Sequence, residues 1–367
     1  MMVRTCVALA AATLFAGAAH AASTTALTAD QMLQQFNVVT TGNLVSTSHV
    51  DGRAYVGGNL QGGDFVQHAS QTAASSYAGL TVVGSVNANG GQDVHVNGLG
   101  AVVGGSATGL GVNKGQAYVG GNATRSSFNG DAWVTGAASG VNFNGYAHAA
   151  SLSNGTNNNR PLAATTALMD STRAAVATTD FAHVMDNMST KLSALAGTAG
   201  TKVAFSNNDH QVTFSGTGDA DGLLIFDLTK LDTKIFSSTT TDLSFNLTNA
   251  TTVVFNTNDK VLSLTANFNQ AIGLGSSLIW NFDGADSVTV GRTFGGQVLV
   301  ADGTFSNVGG ANVEGGVYAK TFNQYGEVHL QAFSGSLATA VPEAETYAML
   351  LAGLGLLGFM ARRRKQG

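Results

Sequence analysis

The chain has 367 residues, 11% of them charged, with a formal net charge of −5. Ordinary soluble domains carry about 25% charged residues, and nothing in the composition offers the basic footprint of a nucleic-acid binder. The 47 glycines beside 2 prolines exclude collagen and proline-rich linkers. They fit an all-β chain with many tight corners, where Gly and Asn take left-handed backbone angles at low cost.

Residues 1–21 read as a secretory signal peptide. Arg4 gives a basic start, Cys6 to Ala19 is apolar or small, and Ala19-His20-Ala21 supplies a small-x-small cleavage pattern, so Ala22 begins the mature chain. The alternative is a buried N-terminal helix. Cys6 is the single cysteine and lies inside the signal, without a lipoprotein context. The mature chain then has no cysteine, so its stability rests on packing and backbone pairing. Ala22 to Val341 holds 12 Lys and Arg against 20 Asp and Glu, a formal net of −8.

After the signal, Thr28 followed by Gln31 makes a capping-box pattern, with Leu33 and Phe36 on one face of a short helix. A recurring unit comes next: "AYVGGNL" (54–60), "TVVGSVN" (81–87), "AVVGGSA" (101–107), "AYVGGNA" (117–123) and "AWVTGAA" (132–138). Gly57, Gly84, Gly104 and Gly120 are 27, 20 and 16 residues apart. Such recurrence predicts stacked coils of a β-solenoid, a parallel β-helix in which no coil buries its apolar face alone. Antiparallel hairpins with the same turn chemistry are the alternative.

A polar break, "SNGTNNNRP" (153–161), precedes a helical insert at about 162–196. Phe181, Met185, Met188, Leu192 and Leu195 step by 4, 3, 4 and 3, one apolar stripe that a solenoid flank would bury. Asp180 is the expected cap and Gly197 the expected end. Period-two alternation then marks strands at Leu243, Phe245 and Leu247, and again at Leu262, Leu264, Ala266 and Phe268. "GGQVLVADG" and "EGGVYAKTF" read as two successive coils, with Val298, Val300, Val317 and Tyr318 as strand residues. Similar halves around the insert predict one continuous domain over 22–338.

Catalytic constellations are not legible. The seven histidines after the signal (His49, His68, His95, His148, His183, His210 and His329) show no zinc-ligand spacing, and there is no nucleophile elbow or P-loop. Asp219 with Asp221, and Asp283 with Asp286, are fragments of a calcium loop without its full ligand set. The bland reading is a solvated turn, and no other cofactor is implied. Long flat ladders of Thr, Ser and Asn would suit polysaccharide, ice or another repetitive surface through many weak contacts, or would simply be solvated strand faces.

The last residues resemble a PEP-CTERM sorting signal over 341–365. Val341, Pro342 and Glu343 open it, an apolar segment runs from Thr346 to Ala361, and Arg362, Arg363, Arg364 and Lys365 follow. Ala344 departs from the common proline. The resemblance implies an exosortase substrate of a Gram-negative bacterium, exported by the Sec machinery and cut near the Pro-Glu motif. The apolar segment is a C-terminal hydrophobic helix of 16 residues, about 24 Å long, short of the roughly 30 Å bilayer core. Its insertion is therefore expected to be transient, with the arginines on the cytoplasmic side.

The body is similar to the choice-of-anchor A domain of bacterial surface proteins. "FNVVTTGNLVSTSHVDGRAYVGGNL" (36–60), "GTGDADGLLIFDL" (216–228), "LIWNFDGADSVTVG" (278–291) and "GGQVLVADGTFS" (295–306) carry that resemblance. It implies an adhesive, β-helical, non-enzymatic protein of the cell surface or extracellular matrix, associated with biofilm or exopolysaccharide. No catalytic residues come with it. The competing readings are a polysaccharide-active enzyme on a β-helix and an ice-binding solenoid; the irregular coil length speaks against the latter.

Overall fold

The computed structural model describes residues 25–337 except 90, 159 and 163–169. The recurring units are the first strands of successive coils. Ala54–Val56, Leu80–Val82, Ala101–Val103, Ala117–Val119 and Ala132–Val134 stack in parallel and in register. Each coil continues onto a second face (Leu60–Gln61, Val86–Asn87, Ala107–Thr108, Ala123–Thr124). It then turns onto a third (Asp64–Phe65, Val94–Val96, Leu110–Val112, Ser127–Phe128). Faces one and two belong to a 21-stranded sheet and face three is a 10-stranded sheet. This is the β-solenoid that the recurrence predicts. Hairpins are not its basis: among the described strands the antiparallel ladder is Lys202–Phe205 with Gln211–Thr217.

The "VGGN" wording has a physical cause at the corner between faces one and two. A Cβ on Gly104 would meet the Val83 carbonyl of the coil beneath, and one on Gly120 would meet that of Gly104. The next glycine lies against a polar side chain of the coil beneath: Gly58 on Asn43, Gly105 on Ser85, Gly121 on Ser106, Gly136 on Asn122. Those side chains accept backbone N–H groups of the next coil, Asn43 from Asn59 at 2.8 Å, Asn59 from Ser85 at 2.9 Å and Asn122 from Ala137 at 2.9 Å. Two small residues thus allow close stacking, and an Asn or Ser satisfies the donor that the bend leaves over. The irregular period comes from other corners. Residues 67–79 lengthen one coil and 88–93 the next, leaving the sheets in register.

One inward column runs through the whole stack on face one. It reads Phe226, Phe255, Trp280, Val298, Val317 and Val38. It continues through Ala54, Leu80, Ala101, Ala117, Ala132 and Ala147. Side-chain volume falls from aromatic to alanine, so a close-packed interior must narrow along the axis. At the narrow end Phe128 and Phe143, 5.7 Å apart on face three, fill the space opposite the alanines.

That column also shows the chain order. Val38–Thr40 pairs on one side with Ala54–Val56 and on the other with 317–319. The chain therefore enters mid-stack and winds to one end at Thr156–Asn157. Helices α2 (Asp170–Ala175) and α3 (Phe181–Ser193) follow, and then the strands from Lys202 onward build the other end and wind back to the middle.

Helix α3 crosses the outside of face one. Its stripe is buried at Phe181, Met185, Met188 and Leu192, as the spacing predicts, with Leu195 packed at its margin. Asp180 Oδ1 accepts the His183 N–H at 3.1 Å. The helix ends at Ser193, short of Gly197; in its last turns Asn281 Nδ2 donates to Ser189 O at 3.0 Å, and Asn256 Nδ2 donates at 2.7 Å to Leu192 O, one of the terminal carbonyls that lack a full helical partner. Helix α1 (Ala29–Gln35) carries the expected capping box from Thr28. It sits over Tyr318, whose hydroxyl donates to the carbonyls of Phe36 (2.8 Å) and Leu33 (3.2 Å). Tyr318 is thus a strand residue pointing outward under the helix, while Val298, Val300 and Val317 point inward.

Candidate functional site

Face two is the exposed counterpart of face one, and its outward positions form two rows. One row passes through Ser263, Thr289, Ser306 and Asn323, crosses Val45, and continues through Gln61, Asn87, Thr108, Thr124, Ser139 and Ser153. The parallel row, two residues earlier in each strand, runs from Val261 through Ser287, Thr304 and Thr321 and then along the corner ladder that begins at Asn43. Among the described residues neither row holds a charged side chain. Eleven rungs spaced about 4.8 Å give a face roughly 48 Å long, with the rows about 7 Å apart. Hydroxyls and amides both donate and accept, so the face offers repeated, weak, neutral hydrogen bonding.

Face three is different where the two ends of the winding meet. Strand His49–Val50 lies between Asp64–Phe65 and Val328–Leu330. The valines and Phe65 turn inward, which forces their strand neighbours outward: His49 on one rung, Glu327 and His329 on the next, with Asp51 buried at the corner beside them. His329 Nδ1 is 2.7 Å from Glu314 Oε1, and its Nε2 is 2.6 Å from Glu327 Oε2. His49 Nε2 is 3.5 Å from the same Glu327 oxygen and 3.9 Å from Asp51 Oδ1. Burial lowers the basicity of His329, but hydrogen bonds to Glu327 and Glu314, with the charges of Glu314 and Asp51, outweigh it and hold its pKa above the ordinary value. One rung farther, His95 Nδ1 is 2.7 Å from Asp64 Oδ1.

The aspartates considered for calcium sit elsewhere. Asp219 Oδ1 accepts the N–H groups of Asp221 (3.0 Å) and Leu223 (2.9 Å), which closes a turn. Asp283 accepts from Ser189 under α3 at 3.2 Å, and Asp286 is exposed. None of the four joins His49, Glu327 and His329, the group of metal-ligating side chains found among the described residues. Sequence spacing missed that group because it spans the seam. The signal was the local pattern, an inward valine flanked by His and acid in "HVD" (49–51) and "EVH" (327–329). Ala19, Ala21 and Ala22 of the cleavage site lie outside the described residues, as do Val341, Pro342, Glu343, Arg362, Arg363, Arg364 and the apolar segment 346–361. Among the described residues no helix is long and apolar enough to cross a membrane.

Residues 29–135 and 112–330 match the family described as "Putative Ice-binding-like adhesive domain". Residues 340–365 match the PEP-CTERM protein-sorting motif, which implies processing by an exosortase. No curated protein and no solved structure matches the chain. Both matches describe an exported protein of the cell surface: the chain belongs to the ice-binding-like adhesive domain family and carries a PEP-CTERM sorting signal at its end.

Proposed function

We propose that this protein is an adhesive, non-enzymatic component of the cell surface or extracellular matrix of a Gram-negative bacterium, and that it holds neutral exopolysaccharide on face two. The observation that carries the reading is the pair of uncharged rows, continuous across the seam between the two halves of the chain. A repetitive ligand can meet a repetitive face at many rungs, so contacts that are individually weak add up. The choice-of-anchor A resemblance and a role in biofilm fit the same reading. So does the tail: Sec export, transient insertion of 346–361 in the inner membrane, then exosortase cleavage near Pro342 and Glu343.

The experiment is co-sedimentation of the full chain with exopolysaccharide from its host, with intact-mass analysis of the protein from cells with and without the exosortase. Retention of the intact polymer, and an exosortase-dependent C-terminus before Arg362, are the expected results. Shortening of the polymer would make the protein an enzyme, and a mature chain ending beyond Arg364 would contradict the sorting step. The family match favours ice as a second ligand for the same face; thermal hysteresis without polysaccharide binding would select it.

A further inference from the structure

We propose that His49, Glu327 and His329 form a site for a divalent transition-metal ion of the zinc type, bridging the first and last coils of the chain where they meet. The site lies on face three, away from the polar rows, and does not depend on what those rows bind.

The donor set is right for such an ion. Two imidazoles and one carboxylate place their ligand atoms within 4.8 Å of one another. Nitrogen-rich sites of this kind take zinc and its neighbours, whereas calcium and magnesium want oxygen ligands. Tetrahedral zinc with bonds of about 2.0–2.1 Å sets its donors roughly 3.3–3.5 Å apart. His49 Nε2 and Glu327 Oε2 stand at 3.5 Å already. His329 Nε2 and Glu327 Oε2 are at 2.6 Å, a hydrogen bond across one proton. Metal binding replaces that proton, which leaves to water, and the pair opens by less than about 1 Å. The Glu327 side chain is 38% exposed and has room to make that adjustment.

The surroundings are built to present these atoms. Glu314 is only 4% exposed, and its carboxylate faces His329 Nδ1. It thereby keeps a proton on Nδ1 once the Nε2 proton has left, so that Nε2 can turn to an ion, the usual arrangement behind a metal-bound imidazole. Gln324 Nε2 donates to the His49 carbonyl at 2.8 Å, and Asp51 accepts the Leu330 N–H at 3.1 Å, so both strands are held in place. Both imidazoles are about 30% exposed, which leaves the remaining coordination positions to water or to an outside ligand. The strand ladder at this point registers a single pair, Val50 with Val328, so an ion here ties a thin part of the seam.

The test uses the full chain without a polyhistidine tag. Zinc is titrated by calorimetry, and cobalt(II) by its visible ligand-field absorption. One ion per chain is expected, with a thermal midpoint raised by roughly 5 °C at a hundredfold excess of zinc over Kd. His49→Ala and Glu327→Gln should each lose the cobalt bands and at least tenfold in zinc affinity. Glu314→Gln, which touches no ion, should cost about 10–100-fold. His95→Ala is the control and should bind as the parent does. The parent's failure to take up one zinc per chain would overturn the proposal. So would unchanged zinc affinity in His49→Ala, or in Glu327→Gln should the histidine variant fail to fold.

Discussion

Val38 and Val317 occupy adjacent rungs of one inward column although 279 positions separate them in the chain. The two ends of the described residues meet as well, since the Leu337 N–H donates to Asp30 Oδ1 at 2.9 Å. The stack is therefore a solenoid whose spatial order is a rotation of its sequence order. A circular permutant that joins 337 to 25 through a short Gly-Ser linker, and reopens the chain between Leu162 and Asp170, makes the two orders coincide. It should fold, with the parent's circular dichroism spectrum and an unfolding midpoint close to the parent's. An aggregated or helical product would show that the seam needs the natural connectivity.

The corner glycines differ sharply in what surrounds them. Gly120→Val would drive its Cβ into the Gly104 carbonyl of the coil beneath. Overpacking of this kind costs about 1–3 kcal/mol, and here the obstacle is backbone. Gly273 has nothing within 4 Å and sits in the short helix Ala271–Leu274. Gly273→Ala should be neutral or stabilising by up to about 1 kcal/mol. Urea denaturation of the two variants gives the comparison; equal effects would show that close stacking does not explain the glycine.

Asn281 holds the end of α3 by donating to Ser189 O and, at 3.0 Å, to Asn256 Oδ1. Asn281→Leu removes these donors inside a buried contact; Ser189 O keeps the Ser193 hydroxyl at 2.8 Å, but Asn256 Oδ1 loses its donor, at a cost of about 1–3 kcal/mol. The loss should appear as faster amide hydrogen exchange in the last turns of α3, with the face-three strands unchanged. Uniform acceleration across the molecule would mean that helix and solenoid open together.

Two tyrosines predict an alkaline limit. Burial pushes the Tyr55 phenol up to about 12, helped by the charges of Tyr77 and Asp180, and raises the fully buried Tyr318 above the ordinary range by burial alone. The unfolded chain releases these protons near pH 10, so between pH 10 and 12 the folded state holds more protons than the unfolded state. Stability is therefore intact below pH 10 and falls as the pH rises through that window. Denaturant midpoints from pH 8 to 12 should show the fall, and Tyr318→Phe should make it shallower while lowering the starting value. An identical slope in the variant would rule out Tyr318 as a source.

Local patterns in the sequence translate into local structure here. The step of Phe181, Met185, Met188 and Leu192 gives a helix with one buried side, and the Val-Gly-Gly-Asn wording gives a coil and its corner. What stays hidden is whatever depends on rung order. Nothing in the text places Val317 beneath Val38, so the continuity of the polar rows and the meeting of His49 with Glu327 and His329 emerge only in three dimensions. The partners of the last turns of helix α3 are hidden for the same reason: the amides that meet its carbonyls, Asn256 and Asn281, come from strands more than 60 residues away.

The most direct measurement is the affinity of the full chain for host exopolysaccharide when charge and bulk are placed on face two. Asn87 and Thr124 are exposed on the same row, and Asn142 is exposed on face three. Asn87→Lys with Thr124→Lys should weaken binding at least tenfold, while Asn142→Lys should bind as the parent does, all three proteins keeping the parent's unfolding midpoint. Undiminished binding by the face-two variant, or its loss in Asn142→Lys, would contradict the assignment of adhesion to the uncharged rows.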